Sequence, residues 1–379
     1  MGSRVLVVLP PSAEWSRGIL RGFMGAAHER DWILLYYEPP TELAWLAEQW
    51  HPDAVVLGPG QSGPGARVLK RSRIVSVNED ATAAGIASVC LDEEKIAEIA
   101  CAHLLSRGLR HLSVFRYNAA RFARRRDRRF CECAVASGAH VAPGWWIDSP
   151  DQPHASELPS AMCDWLRDLP KPCGVFACCD SWARIVGRYC RVSGIRIPDE
   201  IALVGADNDA FECELNAPPI TSVAIPWEAV GEQAAFLVQR ALAGESIAAE
   251  RIVVPPGDVV PRRSSDLLAI EDPLVEQAVV WIREHADSRI TVPEVTSAVA
   301  TTRQRLERRF RAVLGRTVMQ EVRRAHIEIA RRLLSTTELD LAQVARLSGF
   351  TTASLLSIAF HREMGMPPGV YRRSLKGLL

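Results

Sequence analysis

The 379-residue chain has no long hydrophobic run, no formal net charge and no ordered spacing among its ten cysteines. The apolar run at residues 5–9, before Pro10 and Pro11, is shorter than the core of a secretion signal. Other apolar runs also fall short of a membrane span. The cysteines lack the spacing of a small disulfide scaffold. We therefore expect a cytoplasmic protein with reduced thiols and no membrane contact.

The short motifs of common catalytic and cofactor sites are also missing. The chain has no GxxxxGK[ST] loop that would cradle a phosphate and no GxSxG turn that would present a nucleophilic serine. An enzyme is therefore the least supported class of function, and we expect no cofactor. A zinc site is the alternative use of the cysteines, but no CxxC pair is matched by a second, and cysteines beside strands are commonly apolar core residues. The cysteines considered are Cys131, Cys133, Cys173, Cys178, Cys179 and Cys190.

The absence of net charge hides an asymmetry along the chain. From Asp272 to the end there are 17 Lys and Arg against 11 Asp and Glu, a net charge of about +6, and the remainder carries about −6. A chain of this length suits two or three domains. A basic tail on an acidic body predicts that nucleic acid binds at one end only.

The first 265 residues alternate short apolar runs with amphipathic helical stretches. The predicted strands are 4–9, 32–37, 54–57, 74–77, 111–115, 174–178 and 201–205, and the helical stretches include 16–30, 93–107, 121–137, 181–193 and 227–243. This alternation predicts parallel sheets covered on both faces. Ligands in such folds bind at the carboxyl ends of the strands. The loops to examine are therefore 10–15, 78–80, 116–126, 178–182 and 206–209.

The last hundred residues contain two helix-turn-helix patterns in tandem. In the first, residues 295–302 lead into a helix over 303–311, and in the second, residues 344–350 lead into a helix over about 352–361. Each helix carries a Leu-x-x-x-Phe pair on its buried face: Leu306 with Phe310, and Leu356 with Phe360. A helix presented in this way fits the major groove of double-stranded DNA.

The outward side chains of the two helices differ in their capacity to read bases. On the first, we assign Gln304, Glu307 and Arg308 to base edges and Arg303 and Arg311 to phosphates, with a merely solvated charged face as the alternative. The second offers no long base-reading side chain, so we expect it to contribute affinity more than specificity. Its DNA contacts are predicted at Ala353, Ser354, Ser357, His361 and Arg362, with Ile358 on the same outward stripe.

The body resembles the inducer-binding core of lactose-repressor-type regulators. The similar segments are Val204-Gly205-Ala206-Asp207-Asn208, Pro218-Pro219-Ile220-Thr221-Ser222-Val223 and the stretch 193–203. The resemblance implies two Rossmann-like lobes that close on a small sugar, as in type I periplasmic binding proteins. Those repressors carry their DNA-binding helices ahead of this core, whereas here the helix-turn-helix patterns follow it.

The same resemblance supplies candidate ligand contacts. Asp207 matches a sugar-binding aspartate, and Arg126 matches an arginine that contacts the inducer. Asp180 lies in a third loop, although Cys179 stands where a polar amide is common, and Trp15 in the first loop is placed to stack on a sugar ring. Asp92 opens a helix and is expected to be its N-cap. The arginine-rich stretch 121–129 is expected to be a helix start with one pocket arginine and a solvated remainder, rather than a nucleic-acid patch.

The tail resembles the arabinose-regulator (AraC) type of DNA-binding domain. Its marks are Phe310-x4-Gly315, Ile327-x-x-Ala330-x-x-Leu333-Leu334, Val344-Ala345-x-x-x-Gly349-Phe350 and Gly365-Met366-Pro367-Pro368-x-x-Tyr371-Arg372, with one long helix over about 317–334 between the two patterns. Ala300 replaces the glycine common in the first turn, which puts that turn's geometry in question. A sugar-receptor core followed by this tail resembles the xylose operon regulators.

We therefore predict an α/β fold of two Rossmann-like lobes at 1–265, followed by an all-α domain with two helix-turn-helix motifs at 266–379. The implied function is sugar-controlled transcription, with D-xylose as the leading effector, a homodimer as the assembly, and RNA polymerase as a partner if the protein is an activator. Repression, control by a different carbohydrate, and a sugar receptor that does not bind DNA are the alternatives.

Overall fold

The computed structural model divides into two compact units, residues 1–267 and 268–379. It describes residues 2–10, 14–38, 43–59, 73–117, 121–147, 158–267, 272–364 and 366–376. The predicted loops at 10–15 and 116–126 lie partly outside these residues, as does Gly365. None of the described helices combines the length and apolar character that crossing a bilayer requires.

The first unit alternates strands and helices, as its sequence pattern predicts. The strands are β1 (Arg4–Val8), β2 (Ile33–Tyr37), β3 (Ala54–Leu57), β4 (Ile74–Val77), β5 (Ala87–Leu91), β6 (His111–Tyr117), β7 (His140–Val141), β8 (Trp145–Ile147), β9 (Cys173–Ala177), β10 (Ile201–Asp207), β11 (Thr221–Ala224), β12 (Arg251–Val254) and β13 (Val259–Val260). The helices are α1 (Glu14–His28), α2 (Leu43–Trp50), α3 (Glu93–Ser106), α4 (Arg121–Ala136), α5 (Leu158–Asp168), α6 (Asp180–Val192), α7 (Ala210–Glu214) and α8 (Trp227–Leu242).

The strands form two sheets, one in each lobe. The first sheet has the order β12-β5-β4-β3-β1-β2 and is parallel throughout. The second has the order β13-β11-β10-β9-β6-β7, with β8 paired to β6 and only β13 antiparallel among these pairings. The central strands β3, β5 and β9 are buried along their whole length because helices cover both faces of a parallel sheet.

The chain crosses between the lobes three times. It leaves the first sheet after β5 and enters α3, which packs in the second lobe, and it returns after β11 into α8, which packs on β3, β4 and β5. It then crosses back between β12 and β13. Two sheets joined by three crossovers confirm the two-lobed receptor fold.

Backbone contact between α1 and α8 builds the first lobe. A Cβ atom added at Gly22 would lie 2.0 Å from the Glu228 carbonyl oxygen, and one at Gly231 would lie 2.0 Å from that of Ile19. An ion pair between Arg21 and Glu228 at 2.7 Å spans the same helices. Glycine is required at both positions because the two backbones meet there.

The second unit contains seven described helices that form two small cores. They are α9 (Pro273–Glu284), α10 (Val292–Ala298), α11 (Arg303–Leu314), α12 (Val318–Thr336), α13 (Leu341–Leu347), α14 (Ala353–Met364) and α15 (Pro368–Lys376). One core is formed by α9, α10, α11 and the first part of α12, and the other by the remainder of α12 with α13, α14 and α15. Leu306, Phe310, Leu356 and Phe360 are fully buried, which confirms both Leu-x-x-x-Phe predictions.

Candidate functional site

Asp207 ends β10 in a backbone conformation that is rare for its residue type. Its φ is 115°, and Asn208 follows with a φ of 56°. Two successive non-glycine residues with positive φ persist only where the surroundings hold them. Arg262 Nη2 donates to Asn208 Oδ1 at 2.9 Å, and the Asn208 backbone N–H donates to Ser222 Oγ at 2.9 Å. This tightly held turn presents the Asp207 carboxyl at the carboxyl end of its strand.

Asp180 lies beneath the same turn. Its side chain is fully buried, and its Oδ2 accepts a hydrogen bond from the Asp209 backbone N–H at 2.9 Å. Burial raises the pKa of Asp180 to about 7, against the opposing effect of hydrogen bonds from Ser222 and Cys213. The structure therefore gives Asp180 a supporting position under the turn, and its direct contact with a ligand stays a prediction.

Arg126 is the largest fully buried side chain of the molecule among the described residues. Its Nε donates to Glu93 Oε2 at 2.6 Å, its Nη1 donates to the Cys178 carbonyl oxygen, and its guanidinium lies 5.0 Å from the centroid of the Phe122 ring. Burial alone would lower the pKa of Arg126, but Glu93 and Asp207 raise it. A buried cation is tolerated here because it pairs with the Glu93 carboxylate and donates to the Cys178 carbonyl oxygen.

The pKa of Asp207 is raised well above its ordinary range. Burial is the largest cause, the nearby Asp180 carboxyl raises the pKa further, and Arg126 opposes both. Asp207, Asp180, Arg126 and Glu93 thus form one electrostatic cluster, which we call the carboxylate–arginine cluster. Displaced pKa values that arise from burial and from named charged neighbours are typical of functional sites. Sequence reasoning missed Glu93, whose only signal was its place at the start of the predicted helix over 93–107.

In the first lobe, Trp15 lies in the first turn of α1 and is half-buried. Its ring centroid is 6.0 Å from that of Trp227, the first residue of α8. Trp227 was not predicted as a site residue, although it too follows the carboxyl end of a strand. Its indole Nε1 is buried and has no hydrogen-bond partner among the described residues. The two tryptophans form an aromatic pair at the beginning of two helices.

Two secondary predictions about the receptor unit are confirmed. Asp92 is the N-cap of α3, where its carboxylate accepts from the Lys95 backbone N–H at 3.0 Å. In the arginine-rich start of α4, Arg126 is the one buried arginine, whereas Arg128 and Arg129 form ion pairs with acidic side chains of α3 and of α4 itself. Within the described part of the chain, no cluster of three or more metal-ligating side chains was found.

Half of the ten predicted DNA contacts lie on α11. Arg303, Gln304, Arg308 and Arg311 are exposed. Glu307 is half-buried, with its Oε2 shielded from solvent, because it lies at the border of the buried Leu306–Phe310 stripe, and its contact with a base edge stays a prediction. Arg305 was missed; it is exposed and lines a groove beside the turn, together with Thr296, Ser297, Ala300, Thr301 and Thr302.

The neighbouring Arg309 has a different position. Both Asp272 carboxylate oxygens accept from its Nη1 at 2.9 Å, and Asp272 is also the N-cap of α9. This contact attaches α11 to the start of the unit.

The outer face of α14 is less polar than that of α11. Ser354, His361 and Arg362 are exposed as predicted, while Ala353 and Ser357 are half-buried. Ile358 is 68% exposed and Leu355 is 50% exposed. Leu355 was missed because its apolar character pointed to the core rather than to solvent.

Comparison with known proteins matches two separate parts of the chain to known domain families. Residues 101–265 match a periplasmic binding protein-like domain, and residues 295–374 match a helix-turn-helix domain. The xylose operon regulatory protein of Escherichia coli K12 is 30% identical over 295 residues, which cover 75% of this chain and 73% of that one. The protein of the same name from Haemophilus influenzae is 28% identical over 297 residues, with coverage of 75% and 74%.

A solved structure extends the similarity to the entire fold. The structure of a xylose-binding transcription activator superimposes with a TM-score of 0.63 at 24% identity. The match covers 99% of this chain and 98% of that one. The receptor lobes and the helical tail therefore occur together in a known architecture.

Proposed function

We propose that this chain, which belongs to the family of the xylose operon regulatory proteins, regulates transcription by binding DNA in response to a small sugar. The observation that carries the proposal is that one chain combines the carboxylate–arginine cluster at strand ends of a receptor fold with two exposed recognition helices. D-xylose is the leading effector because two relatives that match over about three quarters of each chain are named for the xylose operon.

The chemistry of the cluster suits a polyhydroxylated ligand. Sugar hydroxyls donate hydrogen bonds to carboxylates and accept them from guanidinium groups. We assign these contacts to Asp207 and Arg126, with Asp180 holding the Asp207 turn from below. Trp15, which packs against the buried Trp227, offers an aromatic face from the first lobe, against which the apolar face of a sugar ring would pack. A ligand held by both lobes stabilises their closed arrangement.

The three crossovers provide the path by which closure is transmitted. Glu93, the hydrogen-bond partner of Arg126, is the first residue of α3 and follows the crossover from β5. A sugar that binds the closed form more tightly shifts the population towards it. In a homodimer, with four helix-turn-helix motifs, this shift would change how the two tails meet repeated operator sites. We propose activation through contact with RNA polymerase, in the cytoplasm where the DNA is found.

The sugar half of the proposal is tested by titrating the intrinsic tryptophan fluorescence with D-xylose, using L-arabinose, D-ribose and D-glucose as controls. A saturable response specific to D-xylose is expected. Asp207→Asn should weaken binding by roughly tenfold, because disturbing a buried hydrogen-bond partner costs about 1–3 kcal/mol. Asp199→Asn changes an aspartate whose side chain is 62% exposed, and it should leave the affinity unchanged. A response to none of the four sugars would contradict control by pentoses.

The DNA half is tested on the promoter region of the protein's own operon. Selective binding that weakens as salt rises is expected, because phosphate contacts release counterions. Addition of the sugar should increase transcription by RNA polymerase in a purified system. Absence of sequence-selective binding would refute the DNA half, while lower transcription in its presence would indicate a repressor.

A further inference from the structure

The second recognition helix exposes an apolar stripe where a DNA-reading helix would be expected to expose polar side chains. Residues 354, 355, 358, 361 and 362 face outward at helical spacing. The two central members, Leu355 and Ile358, are 50% and 68% exposed, and Ser354, His361 and Arg362 surround them. The stripe is therefore apolar in the middle with hydroxyl and basic groups at its ends.

The fold leaves these two side chains no place in the core. Leu356 and Phe360 occupy the buried face of α14, and Phe360 packs edge-on against Tyr371 with 5.3 Å between ring centroids. Thr352 holds the start of the helix, since its hydroxyl accepts from the Leu355 backbone N–H at 3.2 Å. Leu355 and Ile358 consequently stay on the outer face. Single exposed aliphatic residues are ordinary, but two adjacent ones on the outer face of a recognition helix form a specific surface.

We infer that Leu355 and Ile358 recognise thymine by packing against its C5-methyl group in the major groove. This inference rests on the proposed function, because it assumes that α14 enters DNA. The charge of the tail favours DNA as the partner of this stripe, because the tail carries 17 Lys and Arg against 11 Asp and Glu. Arg362 and His361 lie beside the stripe, where the phosphates that flank a major groove would be.

Thymine is the natural partner of an aliphatic surface. In the major groove, guanine and adenine present hydrogen-bonding groups and cytosine presents an amino donor, whereas thymine adds a methyl group. Leucine and isoleucine cannot satisfy hydrogen-bonding groups, so they favour the base that offers an apolar one. On this inference the second helix supplies specificity for A·T pairs in addition to the affinity expected of it.

The test removes the methyl group from the DNA rather than from the protein. The promoter site bound by the full-length protein is resynthesised with deoxyuridine in place of thymine, one position at a time. Uracil pairs with adenine and lacks only the methyl group. At one or two positions the substitution should raise Kd about fourfold, the effect of losing one buried methyl-sized group.

The Kd of each protein variant is then measured for every DNA of the same series. Leu355→Ala and Ile358→Ala should bind thymine DNA about as weakly as the wild type binds the corresponding uracil DNA, and each should lose sensitivity to one of the substitutions. Val280→Ala, at a 40% exposed valine on α9, is the matched control and should retain the full thymine preference. Unchanged melting temperatures exclude loss of folding as the cause.

Three results are distinguishable. Equal sensitivity to uracil in the wild type and both variants would overturn the thymine assignment while leaving DNA binding intact. Unchanged DNA binding with reduced transcription by the Ile358→Ala variant would assign the surface to the polymerase instead, which also overturns it. Failure of the wild type to bind its promoter selectively would refute the proposed function itself.

Discussion

The two helix-turn-helix motifs share their buried geometry and differ in nearly everything they expose. Both recognition helices bury a Leu-x-x-x-Phe pair, and a threonine hydroxyl caps each of them, Thr302 in one and Thr352 in the other. The outer face of α11 is rich in arginine, whereas that of α14 centres on two aliphatic side chains. The fold constrains the inner stripe alone, so the two motifs of one chain can acquire different reading chemistry.

Their turns differ in the space available to a side chain. Ala300 in the first turn has a φ of 48° and lines an open groove. Gly349 in the second has a φ of 75°, and a Cβ atom there would lie 2.5 Å from His326 Nε2 and 2.6 Å from the Ser288 carbonyl oxygen. His326 also hydrogen-bonds to that oxygen at 3.1 Å and packs edge-on against Phe350. The second turn is thus packed closely against the helix that joins the two motifs.

The largest expected effect is that of Gly349→Ala. Left-handed strain costs about 1–3 kcal/mol, and overpacking against His326 adds about 1–3 kcal/mol. Gly315→Ala is the control, because Gly315 has a φ of 67° with no atom within 4 Å of its Cβ position. Denaturant unfolding should show a clearly larger loss for Gly349→Ala. Equal losses for the two variants would mean that the second turn is no more tightly packed.

The next effect separates two adjacent arginines of α11. Arg308→Ala should reduce discrimination between operator and mutated operator by about 1–3 kcal/mol without changing stability, because Arg308 is exposed. Arg309→Ala should instead lower stability by about 1 kcal/mol through loss of the partly exposed Asp272 pair. Fluorescence anisotropy with matched DNA and thermal melting measure the two quantities. If Arg308→Ala lowered stability and Arg309→Ala reduced discrimination between operators, the roles given to these two arginines would be exchanged.

A smaller effect is expected on the pH dependence of stability, through His326 under the second turn. Burial lowers the pKa of His326 below its ordinary value of 6.5, against the raising effect of the Ser288 carbonyl. The unfolded chain therefore takes up a proton before the folded protein does, and stability should fall as pH drops below about 6.5. His326→Gln keeps a donor for Ser288 and should flatten this dependence in urea unfolding at pH 7.5, 6 and 5. An unchanged pH profile would show that His326 is not responsible.

The smallest effect should come from Ala300→Gly. Glycine relieves the left-handed strain of the first turn, which should raise stability by about 0.5–1 kcal/mol after the entropy of the unfolded chain is counted. DNA affinity should remain the same because Ala300 offers only a methyl group. A fall in melting temperature would show that the first turn does not need glycine's conformational freedom.

Sequence reasoning succeeded where the signal was local. The periodicity of α11 and α14 placed Leu306, Phe310, Leu356 and Phe360 in the core, and the long connecting helix was predicted within two residues of its observed ends. Sequence reasoning was less accurate at the borders of the buried helix faces. Glu307 was assigned outward but is half-buried, and Leu355 was left out although it is exposed. Periodicity gives a direction around a helix, but neighbouring elements decide how wide the buried stripe is.

In the candidate sugar site, too, local sequence signals predicted some residues and missed others. Strand ends marked Asp207 and Asp180 as candidates, and the resemblance to repressor cores added Arg126. Nothing local indicated that Asp180 would lie beneath the turn, or that Glu93 would pair with Arg126 from 33 positions away in the chain. The aromatic partner of Trp15 is more distant still, at Trp227.

The sequence by itself determines the order of strands and helices, the tandem motifs and the charge division. These features depend on hydrophobic periodicity, capping residues and composition, which act over a few neighbouring residues. Only the tertiary structure decided which charged groups are buried and paired. Arg126 and Arg309 acquire carboxylate partners only after distant segments pack together, while Arg308 stays in solvent. Desolvation and pairing depend on that packing, and so does the pKa of Asp207.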